Sequence, residues 1–298
     1  MKVILLTGKN GQVGWELQRT LAPLGKVIAL DAEDLDLADA EAIRRKVREI
    51  RPHIIVNPAA YTAVDKAESE PELAMAINGI APGVFAEEAR SLDALLVHYS
   101  TDYVFDGSKD GSYVEDDAPN PLGVYGSTKL AGEEAVRATG CRHLILRTSW
   151  VYGARGKNFL LTMLKLAKER SELRIVDDQI GAPTWSRTLG EITAQIIAQL
   201  YVPGREAGAD DTRFGTYHLT STGAVSWYGF TAEILRQANV QPAPVLYPIP
   251  TKDYPTPAAR PRNSRLSNGK LLNAFGLSGG DWRENLQLCL QGMEPTDR

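Results

Sequence analysis

Cysteine is nearly absent from this 298-residue chain: Cys141 and Cys289 are the only two, so no disulfide framework exists and a reducing compartment is expected. Histidine is almost as scarce. His53, His98, His143 and His218 are scattered without metal-ligand spacing, and most sit on strand-like runs, so structural positions are the simpler reading and no metal is expected. There is no basic excess, with 33 Lys+Arg against 37 Asp+Glu and a net charge of −4. A nucleic-acid binder needs a basic surface to neutralise phosphate, so that class is excluded. The one basic run, Arg44-Arg45-Lys46, falls on a helical pattern and reads as a solvated face. No apolar stretch approaches a membrane span, and the chain opens on a strand-like Lys2–Leu6 rather than on a signal peptide. The expectation is a cytoplasmic protein without membrane or nucleic-acid partners. Hydrophobic content of 43% and charged content of 23% suit a globular chain of one large or two ordinary domains.

What is present is an alternation. Val3–Leu6, Val27–Leu30, Ile54–Asn57, Leu95–Ser100 and Leu144–Arg147 read as short buried strands. Helical patterns fall between them at Gln12–Leu24, Ala40–Ile50, Glu72–Arg90 and Ser127–Ala138. Strands separated by helices predict an α/β fold with a doubly wound parallel sheet of Rossmann type, which binds ligands at the carboxyl ends of its strands. After residue 150 the rhythm loosens, with helices expected at Phe159–Arg170, Thr188–Leu200, Trp227–Ala238 and Trp282–Leu290. Prolines crowd the segment from Pro242 to Pro261, which reads as extended loop, and Gly204–Arg213 reads as a polar surface loop. The predicted organisation is a dinucleotide-binding domain over residues 1–150 and a smaller α/β domain, mainly substrate-binding, over 151–298. Part of 185–220 is expected to return to the first domain.

Two motifs carry chemistry. Gly8-x-x-Gly11-x-x-Gly14 follows the first strand and opens the first helix. Glycines there permit a tight turn and close backbone approach to a pyrophosphate, and the helix aims its first amides at the phosphates. Asp31 ends the second strand, 17 residues after Gly14, where an acid suits the paired hydroxyls of an unphosphorylated ribose and opposes a 2′-phosphate. Lys9 in the loop offsets that repulsion, and Asp31 also reads as a turn residue, so NADPH and NADH both stay open. Asp36-Leu37 is placed near the adenine, with a plain loop acid as the alternative.

The second motif is Tyr125-Gly-Ser-Thr-Lys129. With 11 Tyr and 12 Lys in the chain, Tyr-x-x-x-Lys arises by chance about 0.4 times, so only its context gives it weight. It follows a strand ending in His98-Tyr-Ser-Thr-Asp-Tyr-Val-Phe105, which brings Ser100 and Thr101 to the edge where a parallel sheet presents reactive groups. Tyr125 and Lys129 lie one helical turn apart and share a face. A free phenol has a pKa of about 10, and moving it to about 7 takes roughly 4 kcal/mol of phenolate stabilisation. A lysine ammonium and an oxidised nicotinamide are plausible sources. Tyr125 is then expected to donate a proton to a carbonyl oxygen as hydride arrives at its carbon, with Thr101 holding that oxygen and Lys129 also gripping the cofactor ribose.

On these residues the chain resembles the extended short-chain dehydrogenases, and within them the family of dTDP-4-dehydrorhamnose reductases. The likeness spans nearly the whole sequence: Gly8–Gly14, Asn57-Pro-Ala-Ala-Tyr-Thr-Ala-Val-Asp-Lys-Ala-Glu68, Ser100–Phe105, Pro121–Lys129, Arg147-Thr-Ser-Trp-Val-Tyr152, Gly181-Ala-Pro-Thr184 and Tyr254–Ser264. It implies NADPH- or NADH-dependent reduction of a dTDP-linked 4-keto-6-deoxysugar at C4, giving dTDP-L-rhamnose, the last step of that nucleotide-sugar's synthesis for cell-surface polysaccharide. The family's catalytic positions fall on Thr101, Tyr125 and Lys129. Its cofactor-binding positions fall on Gly8, Asn10, Gly11, Gln12, Val13, Gly14, Asp31, Asp36, Leu37, Ala59, Ala60, Tyr61, Ser100, Tyr125 and Lys129. Its sugar-nucleotide positions fall on Thr62, Val64, Thr101, Tyr103 and Trp150, with Arg260 and Asn263 closing over the diphosphate. Trp150 also suits an apolar wall against a 6-deoxy methyl, and Arg260 a bidentate phosphate contact. Some family members bridge two subunits with Mg²⁺. Glu16 and Glu191 match two of the acidic positions, but Arg187 stands where a further acid belongs, so a magnesium-bridged homodimer is doubted and metal ligands are left unassigned.

Two rival readings use the same fold. A nucleotide-sugar dehydratase needs an Asp-Glu pair after the threonine, whereas Thr101 is followed by Asp102 and Tyr103; a 4-epimerase returns its hydride and consumes no reduced cofactor. A non-catalytic NAD(P)-binding regulatory subunit needs no intact proton-transfer set, whereas this chain keeps Thr101, Tyr125 and Lys129 together.

Overall fold

The first five apolar runs all form strands, and they lie side by side and parallel. The computed structural model describes residues 1–202, 205–206, 208 and 211–293. Its first half runs β1 (Val3–Leu6), α1 (Gln12–Thr20), β2 (Lys26–Ala29), α2 (Ala40–Ile50), β3 (Ile54–Asn57), α3 (Val64–Ala67), α4 (Pro71–Met75), α5 (Ala81–Ser91), β4 (Leu95–Thr101), α6 (Val124–Thr139) and β5 (His143–Thr148). The second half runs β6 (Val151–Tyr152), α7 (Phe159–Glu169), β7 (Glu172–Val176), β8 (Ile180–Gly181), β9 (Thr184–Trp185), α8 (Ser186–Leu200), β10 (Tyr201–Val202), β11 (Arg205–Glu206), β12 (Gly215–His218), β13 (Val225–Ser226), α9 (Trp227–Gln237), β14 (Val245–Ile249), α10 (Gly269–Phe275) and α11 (Trp282–Gln291).

Six strands make the main sheet in the order β12-β5-β4-β3-β1-β2. The chain leaves β1 for β2 on one side and then for β3 on the other, which opens a crevice at the carboxyl ends of β1 and β3. Side chains alternate between the two faces. Ile4, Leu6, Val56, Val97 and Leu146 meet Leu17 of α1 and Leu21 just beyond it, Leu189 and Ile196 of α8, and Leu271 and Phe275 of α10. Leu5, Ile55, Leu96 and Ile145 meet Ile43 and Val47 of α2, Phe85 and Ala89 of α5, and Val136 of α6. Both faces are covered, which is why these strands read as unbroken apolar runs rather than alternating ones. A separate core of Tyr152, Leu160, Leu164, Leu173, Phe230, Trp282 and Leu286 joins α7, α9, α11 and β7.

The differences from the sequence reading have physical causes. The helix expected over Glu72–Arg90 is α4 and α5 joined by a π turn at Ala76–Ile80. Pro82 has no N–H for the carbonyl of Asn78, so the regular ladder cannot run through. Pro23 likewise cuts the first helix at Thr20 and leaves a 3₁₀ turn at Ala22–Leu24. The proline-rich stretch read as loop contains β14, paired in parallel with β7. Pro248 is tolerated there because β14 has one neighbour, leaving its other edge without ladder bonds. β12 joins the main sheet beside β5, with His218 opposite Arg147. The loop expected at Gly204–Arg213 lies partly outside the described residues.

Candidate active site

A cavity of about 590 Å³ opens at the crevice beside β1 and β3. One end is built by the glycine loop. Gly8 adopts φ +61°, and a Cβ on Gly14 would stand 2.0 Å from the Gly8 carbonyl oxygen, so α1 can approach the loop only with glycine there. The amides of Gln12, Val13 and Gly14 are the first of α1 and have no acceptor within the helix. Gly14→Ala is expected to weaken reduced-cofactor binding by about tenfold, read by fluorescence titration; unchanged affinity would show that the loop does not hold the phosphates.

Asn10, Gly11, Asp31, Asp36, Leu37, Ala59 and Ala60 also line this cavity. Asp31 accepts from Ala32 N–H at 2.9 Å and Asp36 from Ala38 N–H at 2.8 Å, so both acids brace their own loops while facing the cavity. Lys9, the cation offered against the charge of Asp31, is already paired with Asp34 at 2.5 Å. Gln12 Oε1 and Thr148 Oγ1 are buried on the cavity wall with no protein partner, which suits a polar ligand held there.

The other end is the carboxyl edge of β4. Ser100, Tyr125 and Lys129 line the cavity, and Thr101 lies buried behind them. Thr101 Oγ1 donates to Asp102 Oδ1 at 3.0 Å and accepts from Tyr103 N–H at 3.2 Å. Burial pushes the Tyr125 phenol up to about 12, and its hydrogen bond with Thr101 works against that rise. The sequence reading assigned the lowering to Lys129. In the structure the lysine ammonium is engaged elsewhere, donating to Tyr99 O at 2.6 Å, and burial pulls it down to about 8 while the charge of Glu133 raises it. Burial also lifts Asp102 to about 6, offset in part by hydrogen bonds from Ser264 and Thr101.

The residues expected around the sugar nucleotide divide. Thr62 lines the cavity, and Val64 opens α3 two residues on. Tyr103 stands edge-on to Tyr125, with ring centroids 5.5 Å apart. Trp150 takes φ +50°, stacks on Trp227 at 3.5 Å, and passes so close to Gly181 that a Cβ there would fall 2.5 Å from the indole. Arg260 pairs with Asp65 at 2.8 Å, so its guanidinium meets a carboxylate of α3 rather than open solvent. Asn263 is consumed in holding a distant loop: its amide donates to Lys109 O at 2.5 Å and Gly111 O at 2.8 Å and accepts from Arg265. It does not line the cavity. Neither does Tyr61, whose hydroxyl donates to Glu70 Oε2 at 2.6 Å.

Sequence reasoning missed several supporting residues. Asn78, in the π turn, accepts from Tyr61 N–H at 2.9 Å and donates to Tyr61 O at 3.0 Å, fixing the loop after β3. Glu68 caps α6 through Val124 N–H at 2.8 Å and so sets the start of the helix that bears Tyr125. Gln179 accepts from Trp227 Nε1 at 3.2 Å and steadies the partner of Trp150. The only signals in the sequence were a proline near Asn78 and an acid ahead of a helix. At the doubted metal position, Arg187 pairs with Glu191 at 2.8 Å, and Glu16 is raised by burial with Arg187 opposing. Among the described residues no group of three or more His, Cys, Asp or Glu stands ready for a metal, and no helix is long and apolar enough to cross a membrane.

The family model described as RmlD substrate binding domain matches residues 1–294. The dTDP-4-dehydrorhamnose reductase of Burkholderia thailandensis is 49% identical over 296 residues, covering 97% of this chain and 98% of that protein. The enzyme of the same name from Escherichia coli is 47% identical over 301 residues, covering 98% of each. Among solved structures, the dTDP-4-dehydrorhamnose reductase of Bacillus anthracis in complex with NADP matches with a TM-score of 0.87 at 38% identity, covering 97% of this chain and 99% of that one.

Proposed function

The chain belongs to the family described as RmlD substrate binding domain and is an NAD(P)H-dependent oxidoreductase of it; on that premise we propose that it reduces the C4 keto group of dTDP-4-dehydro-L-rhamnose to give dTDP-L-rhamnose. One observation carries the reading. Tyr125 and Thr101, linked through their hydroxyls, stand next to buried Lys129 at one end of a cavity whose other end is the glycine loop.

A bound reduced nicotinamide supplies hydride to the sugar carbon. The protein does the rest. Thr101 turns its hydroxyl from Asp102 to the keto oxygen, and Tyr125 gives that oxygen its proton as the bond to carbon is made. A phenol pushed up to about 12 stays protonated at neutral pH, which a proton donor requires. An alkoxide is a stronger base than a phenolate, so the transfer still runs forward. Lys129 then steadies the phenolate and directs a remaining N–H toward the cofactor ribose, while Thr62, Val64, Tyr103 and Trp150 frame the sugar nucleotide. Residues 1–150 with β12, α8 and α10 form the cofactor-binding unit in this reading, and the core around Tyr152 and Trp282 anchors the substrate-binding part.

Thr101 is followed by Asp102 and Tyr103, whose ring packs edge-on against Tyr125, in place of the Asp-Glu pair that elimination needs, which supports reduction. The test is purified protein with dTDP-4-dehydro-L-rhamnose and NADPH or NADH. Oxidation of either cofactor with formation of dTDP-rhamnose is expected; no oxidation with any dTDP- or UDP-linked keto-sugar would overturn the proposal.

A further inference from the structure

Behind Lys129 the site continues into a closed polar chain that the tyrosine–lysine pair does not explain. His98, on β4, is 0% exposed. Its Nε2 lies 3.4 Å from Lys129 Nζ, and its Nδ1 faces the amide nitrogen of Asn57, Nδ2, at 3.3 Å. Asn57 is the register partner of His98 on β3, equally buried, and its Oδ1 accepts from Thr7 Oγ1 at 2.6 Å. Thr7 Oγ1 also accepts from Ala59 N–H at 3.3 Å, and Thr7 and Ala59 both line the cavity.

Counting hydrogens fixes what this chain does. Burial and the adjacent charge of Lys129 hold His98 well below the ordinary histidine range, so its ring is neutral and carries one hydrogen. A lysine ammonium has three N–H groups and accepts nothing. In a buried place each of them needs an acceptor. Tyr99 O takes one. For Nε2 to take the second, the ring hydrogen must sit on Nδ1, and the Asn57 amide must turn over from the orientation above, bringing its oxygen to that hydrogen and its NH₂ to Thr7 Oγ1. The third N–H remains for the cavity. The opposite tautomer would set Nε2–H against the ammonium, donor against donor. The other groups around the ring leave this arrangement undisturbed. From α6 the charged neighbours are Lys129 and, one turn on, Glu133, whose carboxylate is held by Arg147 at 2.8 and 2.7 Å. β3 presents uncharged Asn57, and β5 presents Ile145 opposite His98.

We propose that His98 is a positioning residue of the reductase site: neutral and protonated on Nδ1, it accepts from Lys129 Nζ through Nε2 and keeps that ammonium charged and aimed into the cavity. The proposal rests on the reading of Lys129 as the partner of Tyr125. The margin is narrow, because burial already brings Lys129 down to about 8. Losing an acceptor lowers it further, so the charge is lost at a lower pH.

Two measurements decide it. In the unmodified protein, ¹⁵N NMR of the His98 imidazole is expected to show a neutral ring protonated on Nδ1; protonation on Nε2 would overturn the proposal whether or not any variant folds. In pH profiles of kcat, His98→Leu is expected to move the alkaline limb down by about one unit and to cut turnover at pH 8 about fivefold, with KM for the sugar little changed. His98→Gln keeps an acceptor and should leave the limb in place. A limb unmoved in folded His98→Leu, or moved equally in His98→Gln, contradicts the role. Lys129→Met separates the two claims: if turnover survives it, the catalytic reading has failed, whereas loss there with an unmoved His98→Leu limb removes His98 alone.

Discussion

Tyr125→Phe is expected to lose turnover by about 10²–10⁴-fold at saturating sugar while still binding reduced cofactor. The substitution deletes one hydroxyl and keeps the ring, which remains edge-on to Tyr103, so the packing at the start of α6 has no reason to change. The deleted group is the hydroxyl that serves as proton donor in the proposed reaction. Thr101 is a poor substitute as acid, since its own hydrogen is directed to Asp102 at 3.0 Å. The pH profile should separate the two partners. Tyr125, pushed up to about 12 by burial, stays protonated across the neutral range. Lys129 is charged below about 8 and neutral above it, so kcat of the unmodified enzyme should fall as pH rises through about 8. Turnover of Tyr125→Phe within a few-fold of the original would take the proton-donor role from Tyr125.

The second large effect is on stability. Glu133 of α6 and Arg147 of β5 are 0% and 2% exposed at their side chains, and they meet through two parallel hydrogen bonds of 2.8 and 2.7 Å. Arg137 adds a third contact to the carboxylate at 3.1 Å. This pair fastens the helix carrying Tyr125 and Lys129 to the sheet carrying Thr101. Glu133→Gln leaves a buried guanidinium uncompensated and is expected to cost about 3–5 kcal/mol, measured as a lower midpoint in denaturant. Burial pushes the Glu133 carboxyl up, but the bonds and charge of Arg147 outweigh it, and its pKa ends below the ordinary 4.5. A depressed carboxyl stabilises the fold above 4.5, and that contribution is lost as pH falls through its folded value. The unmodified protein should therefore lose stability below pH 4.5 through this group, and Glu133→Gln should lack that component. A midpoint unchanged at pH 7 would mean that the pair is dispensable.

What could be read from the sequence is what short segments encode. The strand before Gly8 and the helix after Gly14 place the loop, and one helical turn puts Tyr125 and Lys129 on a common face. That the first five strands run parallel follows from their alternation with helices. Harder to see was anything that depends on which distant residue comes to rest beside which. The partner of Arg260 is Asp65, far earlier in the chain, and Asn263 turns away to hold the loop at Lys109. Nothing local marks Asn78 as the brace of Tyr61, because its place depends on a helix widening ahead of Pro82. The strand at Val245–Ile249 was hidden by its proline, which is permitted only because the strand lies at an edge. The expected lowering of Tyr125 by Lys129 left out burial, which sets the larger effect on the phenol, and the opposing effect comes from Thr101 instead.

The central claim is net hydride delivery to the sugar C4, and isotopic labelling tests it most directly. Reduced cofactor deuterated at the transferable position of its nicotinamide, incubated with the protein and dTDP-4-dehydro-L-rhamnose, should place deuterium at C4 of dTDP-rhamnose, one atom for each cofactor oxidised. Sugar product without the label, or turnover of the sugar with no net oxidation of cofactor, would contradict the account.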